Sequence, residues 1–146
     1  MIKALLLLVF CNLAVISAIS AKKPAPLEYV QPFTECGEVF TNSTGEVTSP
    51  GYPDNYPNSV SSCGYLITRP VGRTVLLFFD FIDVEDSYDF VNVYDGKDTS
   101  SPSIGELTGS YNDYTIESTR NNMYITFTSD YSNSASGFQA TWTTVS

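Results

Sequence analysis

Two stretches near the C-terminal end alternate strictly between apolar and polar side chains. Met123, Ile125 and Phe127 interleave with Asn122, Tyr124, Thr126 and Thr128, and Phe138, Ala140 and Trp142 interleave with Gln139, Thr141 and Thr143. A period of two sends the sets to opposite faces of an extended strand, which implies antiparallel sheet with a core on one side and water on the other. GYLITR (64–69), RTVLLFFDFI (73–82) and DFVNVY (89–94) share the same β-branched and aromatic content, the composition that fits a pleated surface. RTVLLFFDFI is apolar on both faces and so predicts a central strand whose outer face is covered by loops. No stretch carries the 3.6-residue period of an amphipathic helix. The expected fold class is all-β, an antiparallel two-sheet sandwich around one core.

Residues 1–21 read as a secretory signal peptide. Lys3 supplies a short basic start, Ala4 to Ile16 are mostly apolar, and Ser17, Ala18, Ser20 and Ala21 are the small residues at which cleavage occurs. The apolar run is shorter than the roughly 20 residues a spanning helix needs. No later segment is longer, so no membrane span is expected and the product is expected to be secreted and extracellular. Residues 22–35, KKPAPLEYVQPFTE, carry three prolines and no apolar period, which predicts an extended leader. The folded domain is expected over 36–146. Cleavage removes Cys11 and leaves Cys36 and Cys63, which in an oxidising compartment are expected to pair. Closing a loop of about 28 residues contributes roughly 3 to 4 kcal/mol by the chain-entropy estimate.

From Cys36 onward there are fourteen carboxylates against four bases, a net charge of about −10. Such a surface repels phosphate backbones, so nucleic-acid binding is not expected, while cations and basic partners are attracted. The chain contains no histidine, which removes Ser-His-Asp and Cys-His nucleophilic sites, histidine-bound zinc and the commonest general base. A paired-carboxylate glycosidase remains formally open, but it needs a deep cleft that so small a domain rarely builds. No enzyme activity is expected.

Three blocks occur in order: CGEVFTNSTGEVTSPGYPDNYPNSVSSCGYLI, VLLFFDFIDVEDSYDFVNVYDG and NNMYITFTSDYSNSASGFQATW. They carry an opening Cys-Gly, Gly-Glu-Val-Thr-Ser-Pro-Gly-Tyr-Pro followed by Tyr-Pro-Asn, a second cysteine two residues before Tyr65, Tyr-Asp-x-Val-x-Val-x-Asp-Gly, Ser-Asp-x-Ser and Gly-Phe-x-Ala. This set resembles a CUB domain, the extracellular β-sandwich of complement proteases, developmental metalloproteases and spermadhesins, from Cys36 to about Val145. The resemblance implies a jelly-roll of two antiparallel sheets and a Cys36–Cys63 disulfide. The sequence departs from the family pattern at a second disulfide, where Asp86-Ser87 and Leu107-Thr108-Gly109 stand in place of the two cysteines.

A calcium-binding subset of the family uses a glutamate after the strand preceding Tyr-Asp, the aspartate of Tyr-Asp and the aspartate of the Ser-Asp turn. These fall on Glu85, Asp89 and Asp130, with the carbonyl of Ser132 and the side chain of Asn133 as supporting oxygens. Asp83 and Asp86 are neighbouring alternatives to Glu85. An all-oxygen donor set suits Ca²⁺ better than a transition metal. Three converging carboxylates would also repel one another without a cation among them. The resemblance further implies that Glu85, Asp89 and Asp130 accept a lysine or arginine of an extracellular protein partner. Two features stand against the metal. Asp130 can instead form a solvated Asx turn, and Thr44 occupies the position at which calcium-binding members carry a supporting tyrosine.

Asn42-Ser43-Thr44 is the only N-linked glycosylation sequon. Tyr52 and Tyr56 of SPGYPDNYPN are expected to pack that loop onto the sandwich. The leading expectation is a secreted, non-enzymatic, Ca²⁺-dependent protein-binding module, monomeric or weakly oligomeric, similar to single-domain spermadhesins or the free-standing CUB proteins of venoms and secretions. The alternative is a metal-free structural or carbohydrate-binding secreted protein.

Overall fold

The longest strand, β4 (Thr74–Asp83), shows how the core is built. Val75, Leu77 and Phe79 point inward, as a period of two requires, but the next inward residue is Ile82. The phase changes because the pairing with β9 (Gly137–Val145) slips between Phe79 and Phe81, leaving Asp80 as an extra, exposed residue. This β-bulge keeps an aspartate out of the core and turns Ile82 into it. On the outer face Leu76, Phe78 and Phe81 are half-buried. Tyr52 from the 49–58 loop covers Phe81 with ring centroids 6.0 Å apart, and its hydroxyl donates to Gln139 Oε1 at 3.0 Å.

The computed structural model describes residues 36–146. Besides β4 and β9 it contains β1 (Gly37–Phe40), β2 (Thr44–Thr48), β3 (Cys63–Thr68), β5 (Phe90–Tyr94), β6 (Ser103–Leu107), β7 (Ser110–Glu117) and β8 (Asn122–Thr128). They form a five-stranded sheet in the order β1-β3-β8-β5-β6 and a four-stranded sheet in the order β2-β9-β4-β7. The described residues include no helix, so none long and apolar enough to cross a membrane. The signal peptide and leader expected at 1–35 lie outside the described residues.

The two sheets close over one core. Tyr65, Ile67, Val91, Val93, Met123, Ile125 and Phe127 come from one, and Val47, Val75, Leu77, Phe79, Phe138, Ala140 and Trp142 from the other. Phe138 lies edge-on to Phe79 at 5.9 Å and to Tyr65 at 6.3 Å, geometry that adds about 0.5–1.5 kcal/mol per pair beyond area burial.

All pairings are antiparallel except one: β1 runs parallel to β3, with Gly37 opposite Gly64 and Phe40 opposite Ile67. The disulfide pins its register: Cys36 and Cys63 are joined and each immediately precedes a paired glycine, so the bridge holds the first residues of the two segments side by side. Strands β1, β6 and β7 do not stand out in the sequence because they are edge strands that give the core little: the side chains of β1 and β7 are mostly exposed, and only Ile116 of β7 and Leu107 of β6 are buried, too few for an apolar alternation to show.

Burial, and then the charge of Glu38, push the Tyr65 phenol from its ordinary 10.0 up to about 12. A group whose pKa is higher folded than unfolded contributes stability below its unfolded pKa and loses it as pH rises through the folded one. The unfolding free energy should therefore hold up to about pH 10 and fall towards pH 12 as buried tyrosines ionise. Urea midpoints taken together with phenolate absorbance check this; a midpoint that is flat across that window would contradict it.

Candidate metal centre

Sheet order decides which chain connections meet. β4 ends and β5 begins around a tight turn in which Asp89 N donates to the Glu85 carbonyl at 3.1 Å and Ser87 takes a left-handed φ of 68°. β8 lies beside β5 with Thr128 opposite Phe90, so Asp130, two residues past β8, arrives next to Asp89, one residue before β5. Each of Glu85, Asp89 and Asp130 offers a carboxylate oxygen within 4.8 Å of the others.

Asp89 is fully buried and joins the loops. Its Oδ1 accepts from Asp130 N at 2.8 Å, and its Oδ2 accepts from the Tyr56 hydroxyl at 2.5 Å. Tyr56 in turn accepts from Glu85 N at 3.0 Å, so one phenol ties the 49–62 segment to two of the three carboxylate-bearing residues. Burial, reinforced by the hydrogen bond to Asp89, raises the Tyr56 pKa well above the ordinary tyrosine value, so the group remains a donor at physiological pH. Its ring packs edge-on against Phe127 at 5.0 Å.

Asp130 Oδ1 accepts from Ser132 N at 2.8 Å, an Asx turn. Asn133, at a left-handed φ of 50° that asparagine tolerates, donates through Nδ2 to Glu85 Oε1 at 2.7 Å. The other Glu85 oxygen, Oε2, is buried and has no hydrogen-bond partner. A buried carboxylate oxygen left unpaired costs of the order of 1–3 kcal/mol or more, so it needs a partner that the described side chains do not supply.

The neighbouring acids stand apart. Asp83 accepts from Ser110 and Ser136 hydroxyls, each at 3.1 Å, and Asp86 is exposed; neither belongs to the cluster. Thr44 is remote: it sits opposite Thr143, while the cluster lies beyond Gly137 at the far end of β9, roughly 20 Å away at 3.4 Å per residue. The phenol at the cluster belongs to Tyr56, so position 44 has no bearing on it. The sequence reading gave Tyr56 only a packing role. The available signal was a tyrosine where phenylalanine would pack as well, and it is weak without the fold. Where family members have a second disulfide, Thr108 links the same two connections instead, accepting from Ser87 N at 2.7 Å and donating to the Glu85 carbonyl at 3.2 Å. Asn42 is exposed in the β1–β2 connection.

Residues 36–142 match the CUB domain family. Human cubilin is 40% identical over 116 residues, 77% of this chain and 3% of cubilin. Mouse procollagen C-endopeptidase enhancer 2 is 35% identical over 127 residues, 84% of this chain and 30% of the enhancer. The chain thus spans a small part of both relatives. Among solved structures, the crystal structure of the MASP-1 CUB2 domain bound to Ca²⁺ superposes with a TM-score of 0.64 at 32% identity, covering 74% of this chain and 98% of that domain. The full extracellular region of zebrafish Gpr126/Adgrg6 gives 0.67 at 34% identity, over 76% and 15% of the two chains. CUB domains are non-catalytic modules of extracellular protein interaction. By the match over its folded region and by its two-sheet jelly-roll, the chain belongs to the CUB domain family.

Proposed function

We infer that this protein is a secreted binding module that holds Ca²⁺ between Glu85, Asp89 and Asp130, with neutral oxygens from Ser132 and Asn133, and uses the loaded end to grip a lysine or arginine of an extracellular partner. The observation that carries this reading is the buried, unpartnered Glu85 Oε2 within a three-carboxylate cluster. The donors fit: all are oxygens, a set that suits a hard cation taking six to eight of them. The Ca²⁺-bound MASP-1 CUB2 domain supports it by similarity. When bound, the cation supplies positive charge that lets the carboxylates coexist and braces the β4–β5 and β8–β9 connections against each other. Asp130 is only half-buried, so its outer oxygen can accept a charge-assisted hydrogen bond from a basic side chain. The signal-like sequence of residues 1–21 supports export from the cell, and a glycan on Asn42 would appear as an intact mass above that of the bare chain.

The metal-free reading draws on a different observation: Asp89 and Asp130 already have hydrogen bonds that order the loops without an ion. Thermal melts separate the two. At a hundredfold excess over Kd a ligand adds about 2.7 kcal/mol, which for a domain of this size raises Tm by roughly 10 °C. That rise is expected for the wild type in millimolar Ca²⁺ against chelator, and is expected to vanish in Glu85→Gln and Asp130→Ala. A wild-type Tm indifferent to millimolar Ca²⁺ would remove the metal and leave the structural reading.

A further inference from the structure

The bases of the described domain are segregated. Arg73 immediately precedes β4 and Glu85 follows it; Arg120 precedes β8 and Asp130 follows it. Arg69 comes just after β3, whose first residue, Cys63, pairs with Phe127 near the Asp130 end. Lys97 lies beyond β5, which starts one residue after Asp89. Each of these strands therefore spans from the carboxylate end to a base, β3 and β5 in that direction and β4 and β8 in the reverse, and all four bases sit at the opposite end of the sandwich. Ten residues of β4 separate the ends by roughly 33 Å.

The two ends differ in charge and both present apolar surface. At the basic end the acids are Asp95, Asp98 and Glu117, hydrogen-bonded to Thr119, Ser100 and Thr74; they keep their charge, so this end is slightly positive while the other carries the carboxylate cluster. Arg73 and Arg120 are exposed beside a cavity of about 360 Å³ shared with Val71, Thr119 and Asn121, and Val71 is 93% exposed. At the acidic end Tyr88 is 62% and Tyr131 83% exposed, each next in sequence to a cluster aspartate. Exposed tyrosine rings beside carboxylates suit a guanidinium, which pairs with the acid and stacks on the ring.

We propose that this protein associates with itself head to tail, the Arg73–Arg120 end of one copy docking on the Glu85–Asp89–Asp130 end of the next, in a Ca²⁺-dependent contact. This rests on the calcium reading above and names a second copy as the basic partner. The overall charge repels at long range, but screening confines that to about 8 Å at physiological salt, so the complementary ends decide at contact. The interface is heterologous, since different surfaces meet, and it repeats into open chains.

Sedimentation of the purified protein over a concentration series tests this. In Ca²⁺ the wild type should grow into a ladder of oligomers and in chelator it should remain monomeric. Arg73→Glu/Arg120→Glu and Asp130→Ala should each weaken association roughly tenfold or more. Mixed in equal amounts, the two variants should form a one-to-one dimer and nothing larger, because each retains the end the other lacks. Arg73→Glu/Arg120→Glu should keep the Ca²⁺-induced Tm rise, which separates this inference from the calcium reading. A wild type that shows the Tm rise but stays monomeric at every concentration overturns the self-association alone. Variants that associate like the wild type, or a mixture that stays monomeric, also overturn it. So does retention of the basic end by a sulfated polysaccharide without self-association, which would assign that end to another class of partner.

Discussion

Tyr56→Phe should destabilise the domain by about 3 kcal/mol and weaken Ca²⁺ binding, although it removes a single oxygen. The ring would keep its edge-on packing against Phe127, so no cavity opens and no apolar contact is lost. The loss is polar and falls on both sides of the hydroxyl. Asp89 Oδ2 loses its donor in a side chain with no solvent exposure, and Glu85 N loses its acceptor. Hydrogen bonds to charged groups contribute about 1.5–3 kcal/mol, and an orphaned buried group costs its full desolvation. Against a total of 5–15 kcal/mol for a typical domain, this is a large fraction. Urea midpoints measured in chelator isolate the structural term, and Ca²⁺ titration measures the rest. A change below about 0.5 kcal/mol, the scale of an ordinary surface substitution, would mean the phenol is not the tie between these loops.

The second large effect belongs to the disulfide. Cys36→Ser with Cys63→Ser is expected to cost about 3–4 kcal/mol, because the bridge closes a loop with a sequence separation of 27 and so restricts the unfolded chain. The native state also suffers, and locally. β1 is a four-residue edge strand with exposed side chains up to the half-buried Phe40, whose ring meets Trp142 at 4.6 Å. With the bridge gone, that contact, one short parallel ladder and the hydrogen bonds of Arg69 and Trp142 to the Thr41 and Asn42 carbonyls secure it. Amide exchange should accelerate in Glu38, Val39 and Phe40 well before the rest of the five-stranded sheet, and the denaturant m-value should rise as the unfolded state expands. Uniform acceleration across β3 and β8 would show instead that the bridge supports the whole sheet.

The calcium reading and the self-association inference share one geometric origin. Strands β4, β5 and β8 all put a cluster carboxylate just past one terminus, and the same strands lead to the bases at the other. A binding end and a charge-separated domain are therefore two consequences of the same sheet order. The hydrogen bonds through Thr108 show how such an end can be held where family members use a second disulfide: each bond is weak, but together they join the Glu85 and Leu107–Gly109 connections.

Legibility followed range along the chain. The five runs with β-branched and aromatic content became β3, β4, β5, β8 and β9 within a residue or so of the expected limits, because alternation is imposed by each strand on its own. The cysteine pair was readable because only one pairing was available in the domain. The acids of the cluster were indicated by family resemblance, whereas Tyr56 was not, since its partners lie 33 and 29 positions away. The Asp80 bulge was invisible to a strict period of two, and the parallel β1 ladder to an expectation built on antiparallel hairpins.

By itself, then, the sequence determined the five apolar-patterned strands, their inward faces up to the Asp80 bulge, the covalent bridge and the acidic character of the surface. These depend on neighbours a few residues apart and on composition. The tertiary structure alone decided that Tyr56, Glu85, Asp89 and Asp130 meet, and that every base of the domain lies at the other end. Which strand termini share an end is set by sheet order and strand direction, and those are fixed only when the two sheets close over their common core.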